Sequence, residues 1–145
     1  MRRIRLERFI MQTTSARSFE RTLTELDFAR LRKLANDKPP QWLTQLLDGV
    51  DILDAREVPS DTVTMYSTVE CQDLHTGRRQ QLTICYPHDA EPGVGFVSVL
   101  SPVGCGLLGL RVGDVAHWQT PSGEEGGAQV LSVLYQPEAS GVFTL

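Results

Sequence analysis

The apolar positions of this chain change period once, and the change divides it. Leu23, Leu26, Leu31 and Leu34 recur at a spacing near 3.6 and place one face of a helix over residues 24 to about 37. Thr24 or Asp27 supplies the oxygen that caps its first turn. Lys38-Pro39-Pro40 stops that helix, because proline has no amide hydrogen and clashes with the preceding turn. A second stripe at Leu43, Leu46, Leu47, Val50 and Leu53 follows at once. The expectation over residues 23–57 is a short antiparallel helical hairpin, a small coiled coil with arms of about 12 to 15 residues, each ~20 Å long.

Beyond Glu57-Val58-Pro59-Ser60-Asp61 the period falls to two. Strands are predicted over residues 63–74 and 79–86, joined by a two-residue turn at Thr76-Gly77. That turn would set Cys71 opposite Leu82 and Val69 opposite Ile84, with Cys85 on the other face of the sheet from Cys71. A polar loop over 87–95 leads to a third strand at 96–100, a short helix at 102–109, a fourth strand at 112–119 and a last one at 128–136. An antiparallel sheet crossed by one short helix is an α+β domain.

Length and composition narrow the function. At 145 residues, with 41% hydrophobic and 22% charged positions, the chain suits one folded domain and a small appendage. No apolar run approaches the span of a bilayer and the first ten residues are too charged for a secretory signal, so a cytoplasmic protein is expected. Net charge is -4, yet residues 1–22 carry six arginines against Glu7 and Glu20, which leaves the remainder strongly acidic. An acidic body cannot neutralise phosphates, so nucleic acid is reached only indirectly and a protein partner is expected. The basic start is read as a flexible extension, the one weak exception on nucleic acid, and Met11 as an alternative beginning. Cys71, Cys85 and Cys105 are odd in number and lack paired spacing, and His75, His88 and His117 are scattered. Neither disulfides nor a metal site is expected, and the thiols read as small inert core residues.

The densest punctuation lies in Val99–Gly123, VLSPVGCGLLGLRVGDVAHWQTPSG. Ser101-Pro102 ends a strand and starts a helix, serine as cap and proline at the first helical position. Gly109 closes that helix, Val112-Gly113-Asp114 turns into the next strand, and Pro121-Ser122-Gly123 turns its far end. Gly104-Cys105-Gly106-Leu107-Leu108-Gly109 satisfies GxGxxG, but a dinucleotide site needs a longer helix and a second parallel strand, and the chain has already turned at Gly113. These glycines are expected to let a short helix approach the sheet. No nucleophile elbow and no cysteine in a basic setting is visible, so no catalytic residue is assigned.

This order of turns resembles the C-terminal domain of the bacterial transcript cleavage factors GreA and GreB. Tyr135-Gln136-Pro137-Glu138-Ala139, with Gly141 behind, resembles a narrower group, the regulator of nucleoside diphosphate kinase family. The resemblance runs from about residue 24 to 145, strongest after Val63. It implies an FKBP-like form of the α+β domain over 62–145, RNA polymerase as partner, and no cofactor or small-molecule substrate. Prolyl isomerisation would follow only from the fold's name, and fold does not carry function. In the Gre factors the loop holding the Ser-Pro pair anchors the domain on the rim of the polymerase secondary channel. Here that loop holds Ser101 and Pro102, with Leu100, Val103 and Val99 as apolar neighbours. The same factors present acidic residues at the tip of a long coiled coil to help hold a catalytic magnesium ion. Here the tip is Asn36-Asp37-Lys38-Pro39-Pro40, a single carboxylate beside a lysine on a short arm. The resemblance therefore implies a non-catalytic regulator that competes with Gre-type factors. The alternatives are an active cleavage factor using Asp37, or a direct modulator of nucleoside diphosphate kinase.

Overall fold

A computed structural model describes residues 21–36, 38–120 and 122–143. The basic start through residue 20, Met11 included, the tip residue Asp37, and Pro121 of the predicted turn lie outside them.

The amino-terminal part folds as a strand, two helices and a strand: β1 (Thr22–Thr24), α1 (Glu25–Leu34), α2 (Gln41–Asp48) and β2 (Asp51–Leu53). Thr24 caps α1, its hydroxyl accepting from the Asp27 amide at 3.0 Å. The helix ends at Leu34, before the prolines, and Lys38 adopts a left-handed backbone with φ of 47°. Both helices are shorter than the leucine spacing predicts, ten and eight residues. The apolar residues at the ends of the two stripes belong to strands instead. Leu23 and Ile52 are partners in a two-stranded parallel sheet of β1 and β2. Of the residues assigned to the basic extension, Thr22 lies in β1 and Arg21 donates from Nη1 to the carbonyls of Cys105 and Leu108.

The remaining strands are β3 (Thr68–Asp73), β4 (Arg79–Cys85), β5 (Phe96–Ser98), β6 (Val115–Gln119) and β7 (Glu125–Tyr135), with a short helix α3 (Pro102–Leu107) between β5 and β6. Their order in one sheet is β5-β4-β3-β7-β6. This sheet is mixed and not wholly antiparallel as predicted, because β5 runs parallel to β4 while the other pairs are antiparallel. The excursion over 86–95, with two single-turn 3-10 helices, carries the chain back to the start of the next strand.

The β3–β4 register also differs from the expected one. Val69 faces Leu82 and Cys71 faces Gln80. The connection runs from 74 to 78 and not through two residues: Asp73 Oδ1 accepts from the His75 and Thr76 amides, and the Gly77 amide donates to the Asp73 carbonyl. The slip is by two, so every side chain keeps its face. Cys71 stays with Leu82 and Ile84, and Cys85 lies on the opposite face.

One core joins both parts. Leu23, Leu31 and Leu43 are fully buried in the same cluster as Met65, Val69, Ile84, Leu107 and Val130. The two helices lie against the sheet domain, Trp42 of α2 donating from Nε1 to the Leu100 carbonyl at 3.1 Å. If α2 is part of this shared core, Leu43→Ala should cost about 2–5 kcal/mol and lower the single unfolding transition of the whole chain in urea. A separate early transition, with the rest unaffected, would contradict the shared core.

Candidate functional site: the Ser-Pro corner

The turn from β5 into α3 contains no charge. No Asp, Glu, Lys, Arg or His occurs between Glu91 and Arg111. Ser101 makes the corner. Its backbone is extended, its Oγ accepts from the Gly104 amide at 3.1 Å, and its hydroxyl donates to the Ser98 carbonyl at 2.6 Å. Ser98 Oγ in turn accepts from the Leu100 amide at 3.0 Å. Pro102 occupies the first turn of the helix, where no amide hydrogen is required. The predicted cap and strand stop are therefore present at the predicted residues.

The glycines of the GxGxxG run act by size. A Cβ on Gly104 would stand 2.1 Å from the Ser98 carbonyl oxygen, and one on Gly106 would stand 3.1 Å from the Trp118 ring of β6. Gly104 needs bare backbone for α3 to settle beside β5, and at Gly106 the Trp118 ring would have to give way by a few tenths of an ångström. At the far end of α3, Arg21 satisfies the carbonyls of Cys105 and Leu108, the groups left without amide partners at a helix end. Burial lowers the Arg21 pKa from its ordinary value, and the residue remains a cation.

Ser101, Pro102, Val103 and Leu100 are all half-exposed, and Val99 is fully buried. The structure brings the first four together at one corner and removes Val99 to the core. Lys38, at the helical tip, is exposed. Among the described residues no group of three or more His, Cys, Asp or Glu side chains is arranged to hold a metal ion, and no helix is long and apolar enough to cross a membrane. The three cysteines are free and buried. Desolvation raises all three thiol pKa values, that of Cys105 to about 11, which suppresses the reactive thiolate.

Sequence reading missed a buried polar seam that fixes the domain's back edge. Gln136 donates from Nε2 to the carbonyls of Pro59 and Thr62, at 2.8 and 2.7 Å. Thr64 bonds Ser67 through their hydroxyls and donates to Glu138 Oε1 at 2.7 Å. The Gln136-Pro137-Glu138 run thus ties the carboxy-terminal end to the segment entering β3. Asp27 of α1 joins this seam, its Oδ2 accepting from the Met65 amide at 3.2 Å. An acidic residue in a first helical turn reads as ordinary dipole compensation, so only its burial marks it out. Desolvation first, and the nearby Glu138 charge after it, raise the Asp27 pKa to about 7 against the Met65 hydrogen bond.

The mixed sheet, its crossing helix and the serine-capped corner define a Gre-type transcription factor domain. Residues 58–135 match the family model described as "Transcription elongation factor, GreA/GreB, C-term", and the chain belongs to that family. Within it, the chain is similar to the regulator of nucleoside diphosphate kinase of Escherichia coli K12, with 41% identity over 99 residues, 68% of this chain and 73% of that protein. It is 38% identical over 83 residues to the elongation factor GreA of Solidesulfovibrio magneticus, covering 57% of this chain and about half, 51%, of that relative. Among solved structures, a prokaryotic transcription elongation factor GreA/GreB from Nitrosomonas europaea aligns at a TM-score of 0.66 and 30% identity, over 80% of this chain and 98% of that one.

Two outcomes follow from this geometry. Asp27 holds its proton more tightly folded than unfolded, so its contribution is greatest below about pH 4 and is lost as pH rises towards 7. Asp27→Asn, which can still accept from the Met65 amide, should gain on the wild type by up to a few kcal/mol between pH 5 and 8 in urea unfolding; a gap that does not change with pH would contradict this. Gly104→Ala should destabilise the chain by about 2–4 kcal/mol, whereas Gly49→Ala, whose Cβ would meet nothing within 4 Å, should be close to neutral. Equal costs would contradict the close-approach reading.

Proposed function

We propose that this protein is a non-catalytic regulator that docks on bacterial RNA polymerase at the secondary-channel entrance and competes there with Gre-type factors. The observation that carries the reading is the Ser-Pro corner: Leu100, Ser101, Pro102 and Val103 form a charge-free, half-exposed patch on a backbone fixed by the Ser98–Ser101–Gly104 contacts and by Trp42. Preorganised apolar patches bind well because little conformational freedom is lost on docking. Membership in the Gre C-terminal family supports polymerase as the partner kind, with the cytoplasm as the place of action.

The helical pair supports competition over catalysis. At 1.5 Å per residue, α1 spans only about 15 Å, and both helices are held against the sheet domain by the shared core. A short pair in that position occupies an entrance without carrying an ion to a distant active centre. Asp37 alone, next to Lys38, offers one carboxylate where a hard cation needs several oxygens. Competition requires only overlapping footprints, so its extent follows concentration and Kd.

The test is a titration of this protein against Gre-stimulated transcript cleavage, with core-polymerase capture in parallel. Cleavage should fall as the protein saturates polymerase. Pro102→Asp, which keeps the helix start because acidic residues suit a first turn, should weaken capture by at least about tenfold. Unchanged cleavage with no complex would refute the reading. So would cleavage restored in stalled complexes by this protein alone and lost in Asp37→Ala. A direct effect on nucleoside diphosphate kinase would appear as altered phosphate transfer when the two purified proteins are mixed without polymerase; the reading predicts none.

A further inference from the structure

Away from the Ser-Pro corner, an open groove of about 660 Å³ runs between the carboxy-terminal half of α1 and the segment leaving β4. Arg30, Lys33 and Leu34 form one wall, Tyr66, Tyr86 and Pro87–Asp89 the other. This volume is in the range of small-molecule sites. Its chemistry stands apart from the acidic body: two cationic side chains and an imidazole gather around two tyrosine rings, with one carboxylate at the edge.

The rings are placed rather than merely present. Tyr66 and Tyr86 have centroids 5.9 Å apart with planes inclined at 58°. Tyr66 sits in the left-handed region with φ of 65°, a conformation that bulky residues avoid. Its amide donates to the Ile84 carbonyl at 2.6 Å, and its hydroxyl donates to Asp89 Oδ2. His88 Nε2 lies 3.3 Å from the same carboxylate oxygen. Both contacts fall on the one oxygen Asp89 Oδ2, and Arg30 and Lys33 stand on the α1 wall of the groove. Lys33 is exposed there. Tyr86, nine-tenths buried, forms the floor.

From this arrangement we infer that the groove binds a phosphorylated ligand carrying a planar ring, a nucleoside diphosphate being the chemical class that fits. The aromatic faces take the ring, since every base presents a π-surface to a tyrosine. Lys33, exposed at the rim, takes the phosphates as a charge-assisted hydrogen-bond donor, and Arg30, already engaged with the Tyr86 hydroxyl, adds positive charge beside it. The Asp89 carboxylate edge accepts from ribose hydroxyls. An acidic peptide would satisfy the cations but leave the tyrosine pair without a flat partner.

Isothermal titration of ADP and of GDP into the full-length protein tests this, with adenosine, inorganic pyrophosphate and a hexaglutamate peptide as separate probes. A nucleoside diphosphate should bind with a sub-millimolar Kd, and adenosine and pyrophosphate should each bind at least about tenfold more weakly, because each keeps one half of the recognition. Lys33→Glu, at an exposed position, should weaken ADP about tenfold without changing the thermal unfolding midpoint. Tyr66→Asn, a side chain that tolerates the left-handed region, should weaken it similarly. No binding of either nucleotide at millimolar concentration would overturn the inference, as would binding retained in both variants, or hexaglutamate binding where ADP and GDP do not. Polymerase capture is read separately with Pro102→Asp, so failure of this groove and failure of the docking corner give different results.

Discussion

The hydroxyl of Ser101 holds the corner on which the functional reading depends. It donates to the Ser98 carbonyl and accepts from the Gly104 amide, closing the end of β5 onto the start of α3 with one side-chain atom. The Ser98 carbonyl can take this bond only because Gly104 has no Cβ, which would stand 2.1 Å away. The cap and the bare glycine are one constraint with two parts. The Ser101 cap and the bare Gly104 fix the backbone of the four residues that form the exposed patch, and proline suits the first helical position without being required there.

That constraint is transmitted through the rest of the chain. Trp42 couples α2 to the corner by its bond to the Leu100 carbonyl, and Cys105 Sγ approaches the Trp42 carbonyl at 3.6 Å. Arg21 completes the other end of α3, and the Thr22 amide donates to the Gly109 carbonyl directly after it. The amino-terminal strands and helices therefore support the Ser-Pro corner. A helical pair used as a brace in this way commits its apolar faces to the domain, with Leu31, Leu43 and Leu46 buried and Leu34 and Leu47 packed partly exposed against the same core.

Much of this was legible in the residues, for reasons that differ element by element. Ser101-Pro102 was readable because capping and proline placement are local rules that need no tertiary context. The leucine stripes announce helices, but Leu23 and Leu53 show the limit of periodicity: three-residue strands at the ends of a helical stripe carry no signal of their own. The β3–β4 pairing kept its faces and lost its register because Asp73 makes two side-chain bonds that lengthen the turn beyond Thr76-Gly77. The parallel β4–β5 pair depends on the polar excursion through 86–95, whose return path no alternation encodes. At the candidate site, the four corner residues were named from family likeness. The seam of Gln136, Thr64, Glu138 and Asp27 leaves no local pattern, since its contacts join residues 38 to 77 positions apart. The Tyr66 and Tyr86 groove was hidden for the same reason.

The central claim is that the Ser-Pro corner is the face this chain turns towards polymerase. A photo-crosslinking residue placed at Val103 of the full-length protein tests it most directly, with a second placed at Leu74, an exposed apolar position in the turn after β3. The account predicts a crosslink to core RNA polymerase from Val103 and none from Leu74. Capture from Leu74 with Val103 silent would contradict it.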